Sequence, residues 1–358
     1  MTATLHVISG LGTGGAETTL VQLAGSLLAR GMSQHVVSLG SRGTFADDLE
    51  MRGVPVTTLG IRSAYGGPRG IWRLIRLVGL LQPKVIQGWL YHGDLMAALA
   101  HQLAPGRRQR RLFWNLRASN MDMARYGWIV RLCALTSSWP DVIVANSQAG
   151  AAFHTAQGYR PRRMEVIANG IDIKKFRPDA AEREQIRVEL GIAPDAVVAV
   201  HVARVDPMKD HATFYAAMAL NPGIIGLSVG RGTKQLAPPP NVRALGQRSD
   251  VERLYAGADI VVSSSAFGEG FSNTIAEGMS AGLVPVSTDV GDARLIVGTT
   301  GQIVAAGDSA ALAAAIAAEA GQPLEQRRER GLEARKRIVG SFTLDQATNS
   351  FAHLYLEA

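Results

Sequence analysis

Short apolar runs alternate with longer helical patterns along most of this chain, and that alternation limits the fold more than any other feature. The first set of runs is Leu5 to Ser9, His35 to Leu39, Val54 to Leu59, Val85 to Gly88, Leu112 to Asn115, Val142 to Ala145 and Glu165 to Ile167. A second set lies near Val197 to Val202, Gly226 to Val229, Val242 to Leu245, Ile260 to Ser263 and Val284 to Thr288. Strands separated by helices pair in parallel, so each set predicts a sheet built from βαβ units. Between the sets stand the turn pair Asn169-Gly170 and a polar stretch from Asp172 to Glu189. A length of 358 residues exceeds what one core usually supports, and 47% hydrophobic residues is ample for two. The expectation is an α/β chain of two Rossmann-like domains, 1–172 and 173–342, facing across a cleft. A terminal helix, 343–358, is expected from the spacing of Leu344, Ala347, Phe351 and Leu354. There is no internal repeat and no low-complexity tract.

Charge is unevenly placed. Residues 1–172 hold 18 Lys+Arg against 9 Asp+Glu, leaving the first half at +9 and the remainder at −2. Much of the excess lies in Arg107-Arg108-Gln109-Arg110-Arg111, and in Arg69, Arg73 and Arg76 on a helical stretch that carries Ile71, Trp72, Leu74, Ile75 and Leu77. Such a surface suits anionic lipid headgroups, or is simply a solvated arginine-rich face. No nucleic-acid partner is expected, since no recognisable binding module accompanies the basic residues. The single cysteine, Cys133, excludes an intramolecular disulfide and fits a reducing cytoplasm. The opening Leu5-His6-Val7-Ile8-Ser9 is a strand pattern rather than a signal peptide. No apolar stretch approaches the roughly 20 residues that span a bilayer.

Two glutamates with seven residues between them carry the chemistry, in Gly268-Glu269-Gly270-Phe271-Ser272-Asn273-Thr274-Ile275-Ala276-Glu277. Gly270 leaves a turn free of side-chain bulk, and Ser272, Asn273 and Thr274 fall where the next helix starts, its unpaired N–H groups open to phosphate oxygens. Glu269 is expected in the turn and Glu277 about two turns into the helix. There the two carboxylates would accept hydrogen bonds from sugar and ribose hydroxyls. Alone, the pair could equally be surface acids around a helix start. Upstream, Arg204 and Lys209 follow the strand pattern ending at Val202. Ligands bind at the carboxyl ends of strands in open α/β sheets, and a guanidinium with an ammonium there matches a diphosphate, the alternative being a solvated charge pair.

Gly10, Gly12 and Gly15 satisfy G-x-G-x-x-G between the first strand and a helix beginning near Glu17, which is also a dinucleotide fingerprint. The acidic ribose ligand expected after the second strand is missing. Ser38-Leu39-Gly40-Ser41-Arg42 stands there instead, a pattern open to a 2′-phosphate and so to an NADP-dependent oxidoreductase. That alternative leaves Arg204, Lys209, Glu269 and Glu277 without a task. No Asp-x-Asp pair and no His/Cys spacing points to a metal.

Taken together, these segments resemble the retaining glycosyltransferases of family 4, with the GT-B fold, over nearly the whole chain. The likeness runs through Gly12-Thr13-Gly14-Gly15-Ala16-Glu17, Trp89-Leu90-Tyr91-His92, Val166 to Asp172, Arg204 with Lys209, Leu245-Gly246-Gln247, Ala258 to Val261, the glutamate pair and Thr288 to Asp292. Ala203 and Asp210 depart from it, since glycine is frequent at both places in the family. The resemblance implies donor contacts at Gly14, Gly15, Gly270, Phe271, Ser272, Asn273, Thr274 and Glu277, and catalytic roles for His92, Arg204, Lys209 and Glu269. His92 would orient the donor sugar. On the acceptor side it implies Glu17, Arg117 and Asn146; without it Arg117 would form a salt bridge, and Asn146-Ser147 would cap the next helix. Residues 246–251 would read the nucleotide base. The activity implied is retaining transfer from a nucleoside-diphosphate sugar, UDP- or GDP-linked, to a glycan or polyprenyl-linked acceptor in surface polysaccharide or lipopolysaccharide assembly. No cofactor or metal is implied, and the terminal helix packs back on the first domain. A sugar-nucleotide epimerase shares the frame, distinguished by needing no acceptor; an idle nucleotide-sugar sensor would not need the site residues present here.

Overall fold

The structure, a computed structural model, describes residues 4–12, 14–61, 67–119 and 122–357. Seven strands form the first sheet: β1 Thr4–Ile8, β2 Gln34–Ser38, β3 Val56–Thr58, β4 Val85–Trp89, β5 Arg111–Leu116, β6 Val142–Ala145 and β7 Met164–Val166. Six form the second: β8 Val198–Val202, β9 Ile225–Val229, β10 Val242–Gly246, β11 Ile260–Ser263, β12 Val284–Thr288 and β13 Gln302–Val304. The helices of the first half are α1 Gly15–Ala29, α2 Phe45–Met51, α3 Gly67–Leu81, α4 Leu90–Leu103, α5 Met123–Thr136 and α6 Gln148–Ala156. Those of the second are α7 Ala180–Glu189, α8 His211–Ala219, α9 Val251–Gly257, α10 Asn273–Ser280, α11 Ala293–Val297, α12 Ser309–Ala320, α13 Leu324–Ser341 and α14 Leu344–Leu356.

Every strand pair is parallel, in the orders β3-β2-β1-β4-β5-β6-β7 and β10-β9-β8-β11-β12-β13. Both sheets are therefore doubly wound Rossmann-like sheets whose strand order reverses once, between β1 and β4 and between β8 and β11. At such a reversal the loops leaving the two strands diverge and open a crevice at their carboxyl ends. In the first domain those loops carry Gly10 to Gly15 and the Trp89–His92 turn. In the second they carry Ala203 to Lys209 and Ser264 to Gly270. The local motifs and the topology thus converge on the same two places.

Central strands are buried from end to end, as sheets covered on both faces require. Two apolar clusters cover the faces of the first sheet, one including Val7, Ile86, Trp114 and Ile143, the other Ile8, Leu20, Trp89 and Phe113. Helix α4 sits unusually close to β1, because a Cβ on Gly93 would lie 2.4 Å from the Val7 carbonyl oxygen. The second domain's core gathers Ala199, Phe214, Val262, Val286 and Ile316.

The chain divides into compact units between Gly170 and Ile171 and again between Thr343 and Leu344, so α14 belongs with the first domain. Its Phe351, Leu354 and Tyr355 join the cluster of Ile8, Leu20 and Phe113, and the Tyr355 hydroxyl donates to Gln87 Oε1. Strand β13 was not expected: three part-buried residues at a sheet edge carry too short an apolar pattern to register. Helix α1 starts at Gly15, two residues before the expected Glu17. Among the described residues no helix is long and apolar enough to cross a membrane.

Candidate functional site

In the second domain, β8 ends at Val202 and the chain turns through Arg204 into the 3-10 turn Pro207–Lys209. Asp206 caps that turn, accepting from Met208 N at 3.0 Å, and its other oxygen holds Arg204 Nη2 at 3.1 Å. Asp210 then takes a left-handed conformation, φ 42°, and caps α8 by accepting from Thr213 N at 3.1 Å and Thr213 Oγ1 at 2.6 Å. That backbone geometry explains why glycine suits the position; aspartate occupies it by combining tolerance of positive φ with a cap.

Across the switch point, β11 runs into Ser263-Ser264-Ser265. Ser264 Oγ lies 2.9 Å from the carbonyl oxygens of both Lys209 and Asp210 and 3.1 Å from His201 Nε2, so it ties the two loops together. Ser265 Oγ donates to Glu269 Oε1 at 2.8 Å, and Lys209 Nζ forms an ion pair with the same oxygen. Burial alone would raise the Glu269 pKa. The Lys209 ammonium, the Ser265 hydroxyl and the positive charge of Arg204 outweigh it, and the carboxyl is held below its ordinary value. Gly291, at φ 63°, lets the loop after β12 approach this turn, since a Cβ there would stand 2.4 Å from the Glu269 carbonyl oxygen. Lys209 and Glu269 are thus brought together, and both cations of the loop are already paired, Arg204 with Asp206.

Glu277 differs from Glu269. It lies one turn into the eight-residue α10 rather than two, with the Tyr255 hydroxyl 3.4 Å from its Oε2. Burial pushes its pKa up to about 7, opposed by Lys175 and Tyr255 and reinforced by Glu252. The expectation of two acceptor-only carboxylates is therefore corrected: near neutral pH Glu277 is partly protonated and can also donate. At the start of α10, Ser272 makes no side-chain cap bond to the first-turn N–H groups. Gly270 offers its carbonyl to Asp292 N at 3.0 Å. Phe271 is 4% exposed and packs on Phe342 with ring centroids 5.4 Å apart, so only its backbone can meet a donor. Asn273 and Thr274 are half-buried in the first turn. In the segment 246–251, Arg248 is held by Asp250 at 2.6 Å and Glu189 at 3.3 Å.

In the first domain, Gly14 is the N-cap of α1 and Gly15 its first residue, while Thr13 of the same motif lies outside the described residues. A Cβ on Gly14 would stand 2.4 Å from Glu17 Oε2, so the Glu17 carboxylate folds over the helix start, where negative charge is favoured. A pyrophosphate bound there in the dinucleotide manner would meet that carboxylate. His92 projects from the first turn of α4, its ring edge-on to Trp128 with centroids 6.0 Å apart, and desolvation lowers its pKa. The preceding Leu90 has φ 64°, which a non-glycine residue rarely adopts, and this bend starts the helix immediately after β4.

Arg117 does not make the salt bridge that stood as the alternative to an acceptor role: none forms among the described residues. Its guanidinium donates to Asn169 Oδ1 at 2.5 Å and Asn115 Oδ1 at 3.4 Å and lies over the Trp89 ring, 5.2 Å from the centroid. Without a carboxylate, burial lowers its pKa to about 9. Asn146 is not the cap of α6; Ser147 is, accepting from Gly150 N at 2.9 Å, while Asn146 Nδ2 reaches the Arg117 carbonyl at 3.5 Å. Sequence reasoning passed over Ser264, Ser265 and Tyr255. The triple serine ending an otherwise apolar strand was a usable signal; nothing local marks Tyr255. Among the described residues no group of three or more His, Cys, Asp or Glu side chains is placed to hold a metal ion.

Two Rossmann-like domains, each with its motifs at the switch point of a parallel sheet, define the GT-B class. Residues 13–175 match the family described as Glycosyltransferase Family 4, and residues 196–319 that described as Glycosyl transferases group 1. The chain thus carries a Glycosyltransferase Family 4 domain followed by a Glycosyl transferases group 1 domain. It is 29% identical over 172 residues to the D-inositol 3-phosphate glycosyltransferase of Segniliparus rotundus, covering 42% of this chain and 37% of that protein. With the Rhodococcus erythropolis protein of the same name it shares 31% over 192 residues, covering 46% and 42%. The chain thus spans less than half the length of these relatives. Anabaena HepE, crystallised with UDP and glucose, superposes with a TM-score of 0.87 over 100% of both chains at 22% identity, a likeness of fold.

Proposed function

We propose that this chain transfers a sugar from a nucleoside-diphosphate sugar to a glycan or lipid-linked acceptor, with retention of anomeric configuration and without a metal ion. The observation that carries the reading is the Lys209–Glu269 pair, held by Ser265 between the loops of β8 and β11 and flanked by Arg204 and the start of α10. An anionic diphosphate would exchange Lys209 and Arg204 from their internal carboxylates to its own oxygens, aided by the first-turn N–H groups. This neutralises the leaving group as charge develops on it, a preorganised electrostatic contribution to catalysis. Glu269, released from Lys209 and ionised, then accepts sugar hydroxyls, and Glu277 bonds the ribose.

In this proposal the acceptor hydroxyl attacks the face from which the diphosphate leaves, and a departing phosphate oxygen takes its proton. His92, kept neutral by its lowered pKa, orients the sugar, while Glu17, Arg117 and Asn146 serve the acceptor. UDP is the first candidate nucleotide because HepE binds it, with GDP the alternative. A role in surface polysaccharide or lipopolysaccharide assembly, at the inner face of a membrane, is supported by charge. Residues 60–140 hold 12 Lys+Arg against only Asp94 and Asp122, and Asp94 is fully buried with its pKa raised by desolvation. Trp72, Leu80, Trp128 and Leu135 of the same region are exposed.

The test is sugar release from UDP-glucose, with and without added acceptor and in the presence of chelator. Acceptor-dependent release of UDP supports transfer. An isomerised sugar nucleotide formed without acceptor would establish the epimerase reading instead.

A further inference from the structure

A cavity of about 450 Å³ opens at the amino-terminal ends of β5, β6 and β7, the opposite edge of the first sheet from the loops bearing His92, Arg117 and Asn146. With β5 six residues long, the two edges stand roughly 20 Å apart. Arg107 and Arg108 line it from the turn after α4, Arg110 and Arg111 from the start of β5, and Arg162 from the segment before β7. The one acid in its wall is Asp141. That carboxylate already accepts from Leu112 N at 2.9 Å and Arg111 Nη1 at 3.2 Å, with Arg162 4.0 Å away. Arg107 and Arg108 have no ion pair among the described residues.

Two buried nitrogens in the wall lack hydrogen-bond partners. His101 is 5% exposed and its Nδ1 has no hydrogen bond; Arg110 is 6% exposed and its Nε has none, although its Nη2 donates to the Ala104 carbonyl at 2.9 Å. Burial and the charges of Arg110 and Arg107 push the His101 pKa down to about 4, so the imidazole is neutral and has one N–H to give. Trp139 adds an exposed indole to the lining. Five guanidinium groups around a concave space, one carboxylate among them and two buried nitrogens unsatisfied, is an arrangement that a multiply charged anion completes and that water leaves self-repelling.

We infer that this cavity is a second, phosphate-binding site of the chain, separate from the nucleotide-sugar site and taking a phosphate or diphosphate group through the forks of Arg107, Arg108 and Arg162 with an N–H from His101. The phosphate belongs either to a small soluble anion or to a lipid headgroup, the exposed indole of Trp139 suiting the second. The inference does not depend on the proposed transferase activity.

The test is calorimetric titration of the full chain with inorganic pyrophosphate at low ionic strength, using as parent Lys209→Ala, which removes a cation of the nucleotide-sugar site, and the double variant Arg107→Glu/Arg108→Glu made in that parent. Both arginines are exposed and unpaired, so the double variant should fold, which its thermal unfolding checks. The expected result is binding by the Lys209→Ala parent, weakened at least about tenfold in the double variant through loss of charge-assisted bonds. Parallel sedimentation with vesicles of phosphatidylcholine, alone or mixed with phosphatidylglycerol, identifies the source. Pyrophosphate binding without vesicle binding assigns a soluble anion, and binding to anionic vesicles that the double variant loses assigns a headgroup. Equal binding by the parent and the double variant in both assays, or no binding in either, overturns the inference.

Discussion

Asp210 holds the loop that presents Lys209, and its two contributions to stability can be separated by substitution. Its φ of 42° places a Cβ-bearing residue in the left-handed region, while its carboxylate caps α8 through Thr213 N and Oγ1. In Asp210→Ala the cap is lost, about 1 kcal/mol, and alanine lacks the local bonds that make the left-handed region tolerable, about 1 kcal/mol more. In Asp210→Gly the cap is also lost but the backbone penalty disappears, so the net change is within about 0.5 kcal/mol. Asp210→Asn keeps both features and is near neutral. A loss of about 2 kcal/mol in a domain of this size lowers its Tm by roughly 4–8 °C. Denaturant unfolding of the four proteins, followed for the second domain's transition, should rank aspartate, asparagine and glycine together and alanine well below. Equal destabilisation by alanine and glycine would refute the claim that backbone geometry contributes, and no loss in either would refute the cap as well.

Other consequences follow from the same geometry. Glu269→Ala should reduce turnover at least about tenfold while leaving UDP affinity equal or higher, since it frees Lys209; comparison of kcat with UDP binding checks this. Glu277 has a folded pKa of about 7 against an ordinary 4.5, so the folded state holds a proton that the unfolded state has released. Its contribution to stability is therefore full below about pH 4.5 and is lost as pH rises toward 7, a decline that denaturant titrations should find missing in Glu277→Gln. His6 runs the other way. Its Nε2 meets Gln34 Oε1 at 2.8 Å, its Nδ1 accepts from Trp89 at 3.0 Å, and burial lowers its pKa to about 4. The first domain should lose stability between about pH 6.5 and 4 as the unfolded histidine takes up a proton, and His6→Gln should flatten that slope.

The parallel sheets were legible because each buried strand is a short apolar run bounded by polar or glycine residues, and in eleven places out of the thirteen little else competes with that pattern. Strand β13 escaped because an edge strand of three part-buried residues needs no apolar run, and β3 is shorter than its pattern because Val54 is buried outside the ladder. The site was legible as residue types at strand ends: Arg204, Lys209 and Glu269 stand where topology makes a crevice. Their pairing was not, because it depends on which oxygen faces which nitrogen across loops 60 residues apart in sequence. The partners of Arg117 were not legible for a related reason, being amides and an indole rather than the carboxylate of the alternative reading. The contrast between Glu269 and Glu277 arises from burial against different neighbours, Lys209 for one and Tyr255 for the other, which spacing alone does not encode.

The most direct test of the central claim, that the β8 and β11 loops bind the diphosphate of a nucleotide sugar, is calorimetric titration of UDP into wild type and Lys209→Ala with chelator present. The account predicts metal-free binding by wild type, weakened about ten- to a hundredfold in the variant by loss of one charge-assisted contact. Binding of equal strength in both proteins, or binding by wild type only when a divalent metal is restored, would contradict it.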